Sequence, residues 1–168
     1  MEKNNNRKKI FLCYSDNDLD SVQSFYAKLK AAGYSPWMND YDILPGQEWE
    51  LAIHEAMNKC QFIIVCLTDN FIKKRGHYNK ELKLSLDILN EFPQNTIFVI
   101  PTKLEECETP ENLSKFQVAN LYENNGFNNL LKSIESDNIN RKEIRDHYFN
   151  QVNENERDNH NNKSDFFI

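Results

Sequence analysis

The amino-acid sequence predicts an α/β fold in which helices flank a five-stranded, mainly parallel sheet. Short apolar segments, typical of buried strands, alternate along the chain with segments whose apolar residues recur at helical spacing. The links between these segments are short, as they are when helices connect parallel strands. A chain of 168 residues can form one domain with a proper core, and two domains would be difficult to accommodate.

The first three elements follow this alternation. KIFLCY, residues 9–14, predicts a buried strand, and the apolar residues of segment 19–29 follow at helical spacing. Gly33 stands where glycine commonly follows the end of a helix. YSPWMN, residues 34–39, predicts a second strand, and Pro36 places it at an edge of the sheet because proline cannot donate a hydrogen bond to a neighbouring strand.

Two further helix–strand units fill the middle of the chain. The Pro-Gly pair at 45–46 predicts a turn, and apolar residues at helical spacing predict a helix over 49–60. QFIIVCL, residues 61–67, is the most apolar segment and predicts a central strand. A third helix is predicted from residue 78 to about residue 92, and NTIFVIP, residues 95–101, predicts a fourth strand.

The C-terminal part of the chain is more polar. A weak fifth strand is predicted around residues 117–122, and the apolar residues of segment 127–134 predict a last helix. The domain accordingly spans residues 8–136 and follows a polar leader, residues 1–7. Segment 137–168 is rich in Asn, Asp and Glu, and two alternatives stay open for it: a disordered tail or a loosely docked helix.

The composition argues against several classes of function. A formal net charge of −6 without a compensating basic stripe argues against nucleic-acid binding, and no apolar run approaches the roughly 20 residues that cross a membrane. The glycines form neither a GxGxxG dinucleotide-binding motif nor a phosphate-binding loop. The four cysteines lack metal-binding spacing, which indicates a reduced, cytoplasmic protein. His54, alone in its helix, is interpreted as an ordinary surface or core residue.

A ligand site is expected at one edge of the sheet. Five strands in a domain of this size suggest the flavodoxin-like order 2-1-3-4-5, in which ligands bind outside the carboxyl ends of strands one and three. Glu81, near the start of the third helix, faces this edge. The loops that follow the strands supply further polar and aromatic residues there: Tyr14, Ser15, Asp16, Asp18, Pro45, Gly46 and Thr68.

These segments together resemble the Toll/interleukin-1 receptor (TIR) domain family. IFLCYSDND resembles the opening box of the family, and WMNDYDILPGQEW resembles the bacterial form of the next box, which contains the BB loop. FIIVCLTDNFIKKRGHYNKEL is similar to the family's third strand and its helix, and LYENNGFNNLLKSI to its closing strand and helix. The resemblance covers about residues 8–135, in order and without large gaps.

Many bacterial TIR domains cleave NAD+, and the resemblance implies the same activity here, with NAD+ as substrate and no bound cofactor. The family's catalytic glutamate begins the helix after the third strand, often in a W-x-x-x-E pattern, and Glu81 stands at that position. His77 replaces the tryptophan of the pattern. The expected contributors to substrate binding line the same rim: Tyr14, Ser15, Asp16, Pro45, Gly46, Trp49, Thr68, His77 and Tyr78.

One carboxylate suffices for this chemistry because the pyridinium of NAD+ leaves as neutral nicotinamide and needs no general acid. The carboxylate stabilises the oxocarbenium-like ribose that remains. Attack by water gives ADP-ribose, and attack by an adenine nitrogen gives a cyclic ADP-ribose. The sequence leaves these two products open.

Simpler interpretations of the same residues stay open as well. On these interpretations, Glu81 is a surface charge that complements the helix dipole, and the Pro-Gly pair forms only a turn. Ser15 or Asp16 caps the first helix, and Asp18 supports its first turn. Trp49 is then a core residue at helical spacing with its neighbours.

Two functions agree with the resemblance. The first is an NAD+ glycohydrolase or ADP-ribosyl cyclase of bacterial antiphage immunity, activated when copies self-associate through the BB loop into an oligomer such as a filament. The alternative is a non-enzymatic interaction module, as in signalling adaptors or in effectors that mimic host TIR domains. The glutamate at position 81 and the L-P-G-x-x-W pattern of the loop favour the enzyme.

Overall fold

The computed structural model describes residues 7–74, 77–90, 92 and 96–136, with strands and helices in the predicted alternation. The strands are β1 (Lys9–Cys13), β2 (Ser35–Trp37), β3 (Phe62–Leu67), β4 (Val99–Lys103) and β5 (Ala119–Asn120). The helices are α1 (Leu19–Ala31), α2 (Asn39–Asp42), α3 (Trp49–Lys59), α4 (Asp69–Lys73), α5 (His77–Asn90) and α6 (Gly126–Glu135). Short 3-10 turns cover Asp16–Asp18 and Glu111–Leu113.

The five strands form one parallel sheet in the order β2-β1-β3-β4-β5, which confirms the predicted fold class and strand order. β1 lies between β2 and β3, and its last residue, Cys13, pairs with Val65 of β3. β2 occupies an edge, as Pro36 predicts. The order reverses between β1 and β3, so the carboxyl ends of these two strands border the crevice typical of such sheets.

The side chains of alternate strand residues pack in two apolar cores, one on each face of the sheet. Ile10 and Leu12 of β1 pack on the face that α1 and α6 cover. Phe11 and Cys13 point to the opposite face, which α3 and α5 cover. Because side chains alternate along a strand, every second residue of β1 faces the side of the sheet that α5 covers.

Several elements differ from the sequence prediction, among them α2, a short helix that was not predicted. β4 starts four residues later than predicted, because it pairs with β3 from Val99↔Ile63 to Lys103↔Leu67 and the earlier apolar residues lie outside this register. β5 is limited to two residues, which pair only with the end of β4. The helix α4 was not predicted; the Thr68 hydroxyl caps it by accepting a hydrogen bond from the Phe71 amide at 3.0 Å.

The expectations for residues 1–6 and 137–168 lie outside the described residues. None of the helices in the described part of the chain has the length and apolar character needed to cross a membrane. The four cysteines, all in the described part of the chain, form no disulfide, and Cys13, Cys60 and Cys66 are buried.

Gly126 marks a tight junction between the sheet and the last helix. A Cβ atom at this position would lie 1.7 Å from the backbone oxygen of Asn120, the last residue of β5. The start of α6 therefore approaches β5 more closely than any side chain permits.

We expect Gly126→Ala to lower the free energy of unfolding by about 1–3 kcal/mol, because the overlap forces α6 away from the sheet. The better helix propensity of alanine, worth at most about 1 kcal/mol, opposes this loss without cancelling it. Urea denaturation measures the difference, and Asn128→Ala, an exposed change on the same helix, is the matched control. Equal stability of the two variants would contradict the close approach.

Candidate functional site

A cleft of about 350 Å³ opens between α3 and α5, on the sheet face to which Cys13 points. Two helix rows form its walls, since residues spaced by three or four share one face of a helix. The α3 row contains Trp49, Ile53 and Met57, and the α5 row contains Lys80, Leu84 and Asp87. Glu50, His54, Glu81 and Lys83 complete the lining.

Glu81 is a buried wall residue of this cleft. Its side chain is 9% exposed, and it lies on the buried stripe of α5 with Ser85 and Ile88. It is the fifth residue of α5 and lies beyond the first turn, where the influence of the helix dipole is concentrated. The interpretation of Glu81 as a surface charge is therefore wrong, because tertiary packing against β1 removes it from water.

The electrostatics of Glu81 follow from this burial. Burial raises the pKa of the carboxyl group to about 7, a hydrogen bond with the Cys13 thiol opposes the rise, and repulsion from the Asp16 carboxylate adds to it. The thiol is fully buried, and burial followed by the charge of Glu81 raises the pKa of Cys13 well above its ordinary value. The cleft thus contains a carboxyl group that titrates near neutral pH, a property that clusters at functional sites.

Tyr14 lies away from Glu81. Its ring packs in the core on the opposite face of the sheet. Its hydroxyl donates a hydrogen bond to the Asp40 carboxylate and accepts one from the Asp40 amide at 3.2 Å. Tyr14 therefore ties the end of β1 to the helix α2, and its expected contact with substrate stays a prediction.

Ser15 and Asn39 place buried polar atoms near the carboxyl ends of β1 and β2. The Ser15 hydroxyl and the Asn39 side-chain oxygen are buried, and within the described part of the chain neither atom has a hydrogen-bond partner. Ser15 is the second residue after β1, and Asn39 is the second residue after β2. Buried polar atoms are nearly always paired in folded proteins, so unpaired ones are candidates for contact with a ligand. Ser15 was predicted at this site and Asn39 was not.

Asp18 and Thr68 are joined in a structural network. The Thr68 hydroxyl donates to the Asp18 carboxylate at 2.5 Å, and the Asn70 side-chain amide donates to it at 2.7 Å. These bonds connect the loop after β1 to the start of α4. Ser15 makes no side-chain cap, so the capping interpretation is wrong for Ser15. Asp18, interpreted as support for the first turn, occupies the N-cap position of α1 without a side-chain capping bond. The substrate role of Thr68 stays a prediction, and its hydroxyl already has two partners.

The loop after α2 forms a tight turn, as predicted. The Gln47 amide donates to the Leu44 carbonyl at 3.0 Å, with Pro45 second and Gly46 third, a position where φ of +90° favours glycine. Leu44 is 62% exposed. Trp49 follows at the start of α3 and is 40% exposed on the cleft, so the interpretation as a core residue is wrong.

Three further residues were predicted to contribute to the site: Asp16, His77 and Tyr78. Asp16 is exposed, with its carboxylate 3.8 Å from the Lys74 ammonium group. His77 and Tyr78 begin α5, and their side chains lie outside the described residues. Their contacts with substrate stay predictions.

Sequence reasoning missed most of the α5 side of the cleft. Lys80, Lys83 and Asp87 are spaced by three and four residues from one another, which places them along one side of α5, but none of them is three or four positions from Glu81. His54 is exposed on the opposite wall. Nothing in the sequence reveals that the Cys13 thiol lies near Glu81.

The raised pKa of Glu81 predicts a stability that depends on pH. The folded state binds the Glu81 proton more tightly than the unfolded chain does. The contribution of this proton to the free energy of unfolding is therefore complete below pH 4.5 and is lost as the pH rises through about 7. Between pH 4.5 and pH 8, the free energy of unfolding of wild type should fall by up to roughly 3 kcal/mol relative to that of Glu81→Gln, whose side chain at position 81 cannot titrate. Urea denaturation of both proteins across this range measures the difference, and parallel curves would contradict it.

Comparisons with known proteins place these features in a family. The family model described as the TIR domain matches residues 10–133. The TIR domain of the Toll-related Receptor TRR-2 from Hydra magnipapillata is similar with a TM-score of 0.63 and 22% identity, over 75% of this chain and 97% of that chain. The TIR domains of the activated Roq1 resistosome, described as directly recognizing the pathogen effector XopQ, match with a TM-score of 0.50 and 20% identity, over 57% of each chain. The family match and the shared fold together show that this chain belongs to the TIR domain family.

Proposed function

We propose that this chain cleaves the bond between nicotinamide and ribose in NAD+. The observation that carries the proposal is the Glu81 carboxyl group, buried in the wall of an open cleft between α3 and α5. This glutamate holds the position of the catalytic glutamate in NAD-cleaving TIR domains. NAD+ is the substrate, and the reaction needs no bound cofactor.

Glu81 acts in its ionised form. As the glycosidic bond breaks, the bonding electrons leave with the pyridinium nitrogen, and positive charge develops on the ribose. A carboxylate in a site of low dielectric stabilises this charge far better than it does in water. Nicotinamide departs neutral, so the single carboxylate needs no acidic partner.

The cleft offers complementary groups for the rest of the dinucleotide. Trp49 provides an aromatic surface for a base, above the apolar side chains of Ile53 and Met57. Lys80 and Lys83 carry positive charge on the opposite wall, where a diphosphate would be neutralised. Attack on the ribose by water yields ADP-ribose, and attack by an adenine nitrogen yields a cyclic ADP-ribose.

We propose further that self-association through the BB loop activates the enzyme in bacterial antiphage immunity. Leu44, in the loop, is 62% exposed, and Leu51, two residues after Trp49 in the first turn of α3, is 54% exposed. Apolar side chains exposed together suit a contact with another copy of the chain. Such a contact would cover the open side of the cleft and exclude water from it.

The enzymatic proposal is tested with purified protein at high concentration or clustered on beads. Wild type should release nicotinamide from NAD+, and Glu81→Gln should reduce the rate by about 10²-fold or more, because the charge that stabilises the ribose cation is lost. Glu55→Gln, the same change at an exposed position that pairs with Lys59, should leave the rate unchanged. Equal rates for wild type and Glu81→Gln would refute the role of Glu81.

The exposed leucines also support the second candidate, a non-enzymatic interaction module. Both candidates predict that Leu44→Glu weakens self-association at least tenfold, because it places a charge in the contact. Sedimentation velocity measures the association, and Tyr122→Glu is the control, since Tyr122 is exposed to a similar degree outside the loop. Association that depends on Leu44, together with no nicotinamide release under any clustering condition, would favour the module.

A further inference from the structure

We propose that Pro36 and Asp42 close the β2 edge of the sheet to strand pairing, so that copies of this chain associate through side chains. Among the described strands, β2 is the outer one next to β1. An outer strand whose backbone groups are free is a template on which another chain can pair. The inference concerns how the chain associates and does not depend on the proposed chemistry.

The pairing with β1 decides which backbone groups of β2 face outward. The Ser35 amide donates to the Lys8 carbonyl at 3.0 Å, so the backbone groups of Ser35 face β1. Trp37, two residues later in the same parallel register, has the same orientation. The residues whose N–H and C=O groups face outward are therefore Pro36 and its two alternate neighbours, Tyr34 and Met38.

These three outward-facing residues, all in the described part of the chain, lack a free N–H group. Pro36 has none, because its ring closes on the backbone nitrogen. The Met38 amide donates to the Asp42 carboxylate at 2.9 Å. The Tyr34 amide donates to the Leu29 carbonyl, near the end of α1, at 3.1 Å. The Met38 carbonyl is engaged as well, since it accepts the Asp42 amide at 3.0 Å.

A second strand laid against this edge would find no donor on β2. Its own carbonyl groups would lose water without gaining a hydrogen bond, and an unpaired buried carbonyl disfavours the contact. Proline and charged side chains are devices by which natural sheets protect their edges. The helix α2, which follows β2, thus has a role besides leading to the BB loop, because it folds the Asp42 carboxylate back onto the end of the strand.

The opposite edge of the sheet is closed by its shortness. β5 consists of Ala119 and Asn120, and the Leu121 amide that follows donates to the Lys103 carbonyl of β4 at 2.9 Å. The backbone groups of Ala119 and Leu121 accordingly face β4, and those of Asn120 face outward. The Asn120 carbonyl accepts the Glu123 amide at 3.1 Å. Within the described strands, neither edge presents a row of free backbone groups.

The closed edges bear on the self-association proposed above. Strand pairing at a free edge can add copy after copy and leads to aggregation. Side chains exposed outside β2, such as Leu44 and Leu51, can instead form a contact of defined geometry that opens again. The closed edge of β2 therefore keeps association reversible.

The experiment restores the donors at the β2 edge of the full chain. Pro36→Val introduces an N–H group in a residue that suits a strand, and Asp42→Ala releases the Met38 amide. The apparent dissociation constant for self-association of the double variant should be at least about tenfold lower than that of wild type, because each copy gains two donors. Sedimentation velocity measures this association, and thioflavin T fluorescence shows whether it extends the sheet.

The control variants separate the edge from other causes of association. Association of the double variant should persist when Leu44→Glu is added, because strand pairing does not use the loop. Pro36→Val with Asp42→Asn should associate more weakly than Pro36→Val with Asp42→Ala, since asparagine keeps an acceptor for the Met38 amide. Asp20→Ala, at an exposed position on α1, and Pro110→Val, outside the sheet, should associate like wild type.

Association of the Pro36→Val/Asp42→Ala variant equal to that of wild type would overturn the proposal. Equal association of the two double variants would overturn the role of the Asp42 hydrogen bond. If the double variants do not fold, amide hydrogen exchange decides: the Met38 amide should exchange more slowly in wild type than in Asp42→Ala, and equal rates refute that role. Neither measurement uses nicotinamide release, so a failure of the proposed function is seen separately.

Discussion

The parallel pairing of β1 with β3 is the constraint on which the candidate site depends. It places the ends of two buried strands side by side, and it turns the side chain of Cys13 to the face of the sheet that α5 covers. The helix α5 then packs across β1, and this packing buries Glu81. A shift of one residue in β1 would turn Cys13 to the opposite face and leave the carboxyl group against an apolar side chain.

Burial of a carboxyl group opposes folding in its charged form and favours it in its neutral form. Glu81 is buried despite this cost, and the neighbouring Cys13 thiol offsets part of the rise in its pKa. Strong donors such as arginine would hold the carboxylate fully ionised but would also neutralise the charge that the proposed chemistry uses. A carboxyl group that titrates near pH 7 remains available to respond to a cation in the cleft.

The loops around the site divide into a fixed part and an exposed part. Tyr14 with Asp40, and Asp18 with Thr68 and Asn70, tie the loop after β1 to its neighbours through side-chain hydrogen bonds. The turn at Leu44–Gln47 closes only on itself and projects apolar side chains outward. The first group preserves the geometry around Glu81, and the second is free to meet another molecule.

The sequence by itself determined the fold class, the strand order, the edge position of β2 and the turn at Pro45–Gly46, because hydrophobic periodicity and turn chemistry are local signals. It also singled out Glu81 through its place after the third strand. Only the tertiary structure decided that Glu81 is buried, that Thr68 is hydrogen-bonded to Asp18, and that Trp49 lies open on the cleft. These are contacts between residues dozens of positions apart, and they depend on strand register and on how α5 packs against β1, neither of which a local pattern encodes.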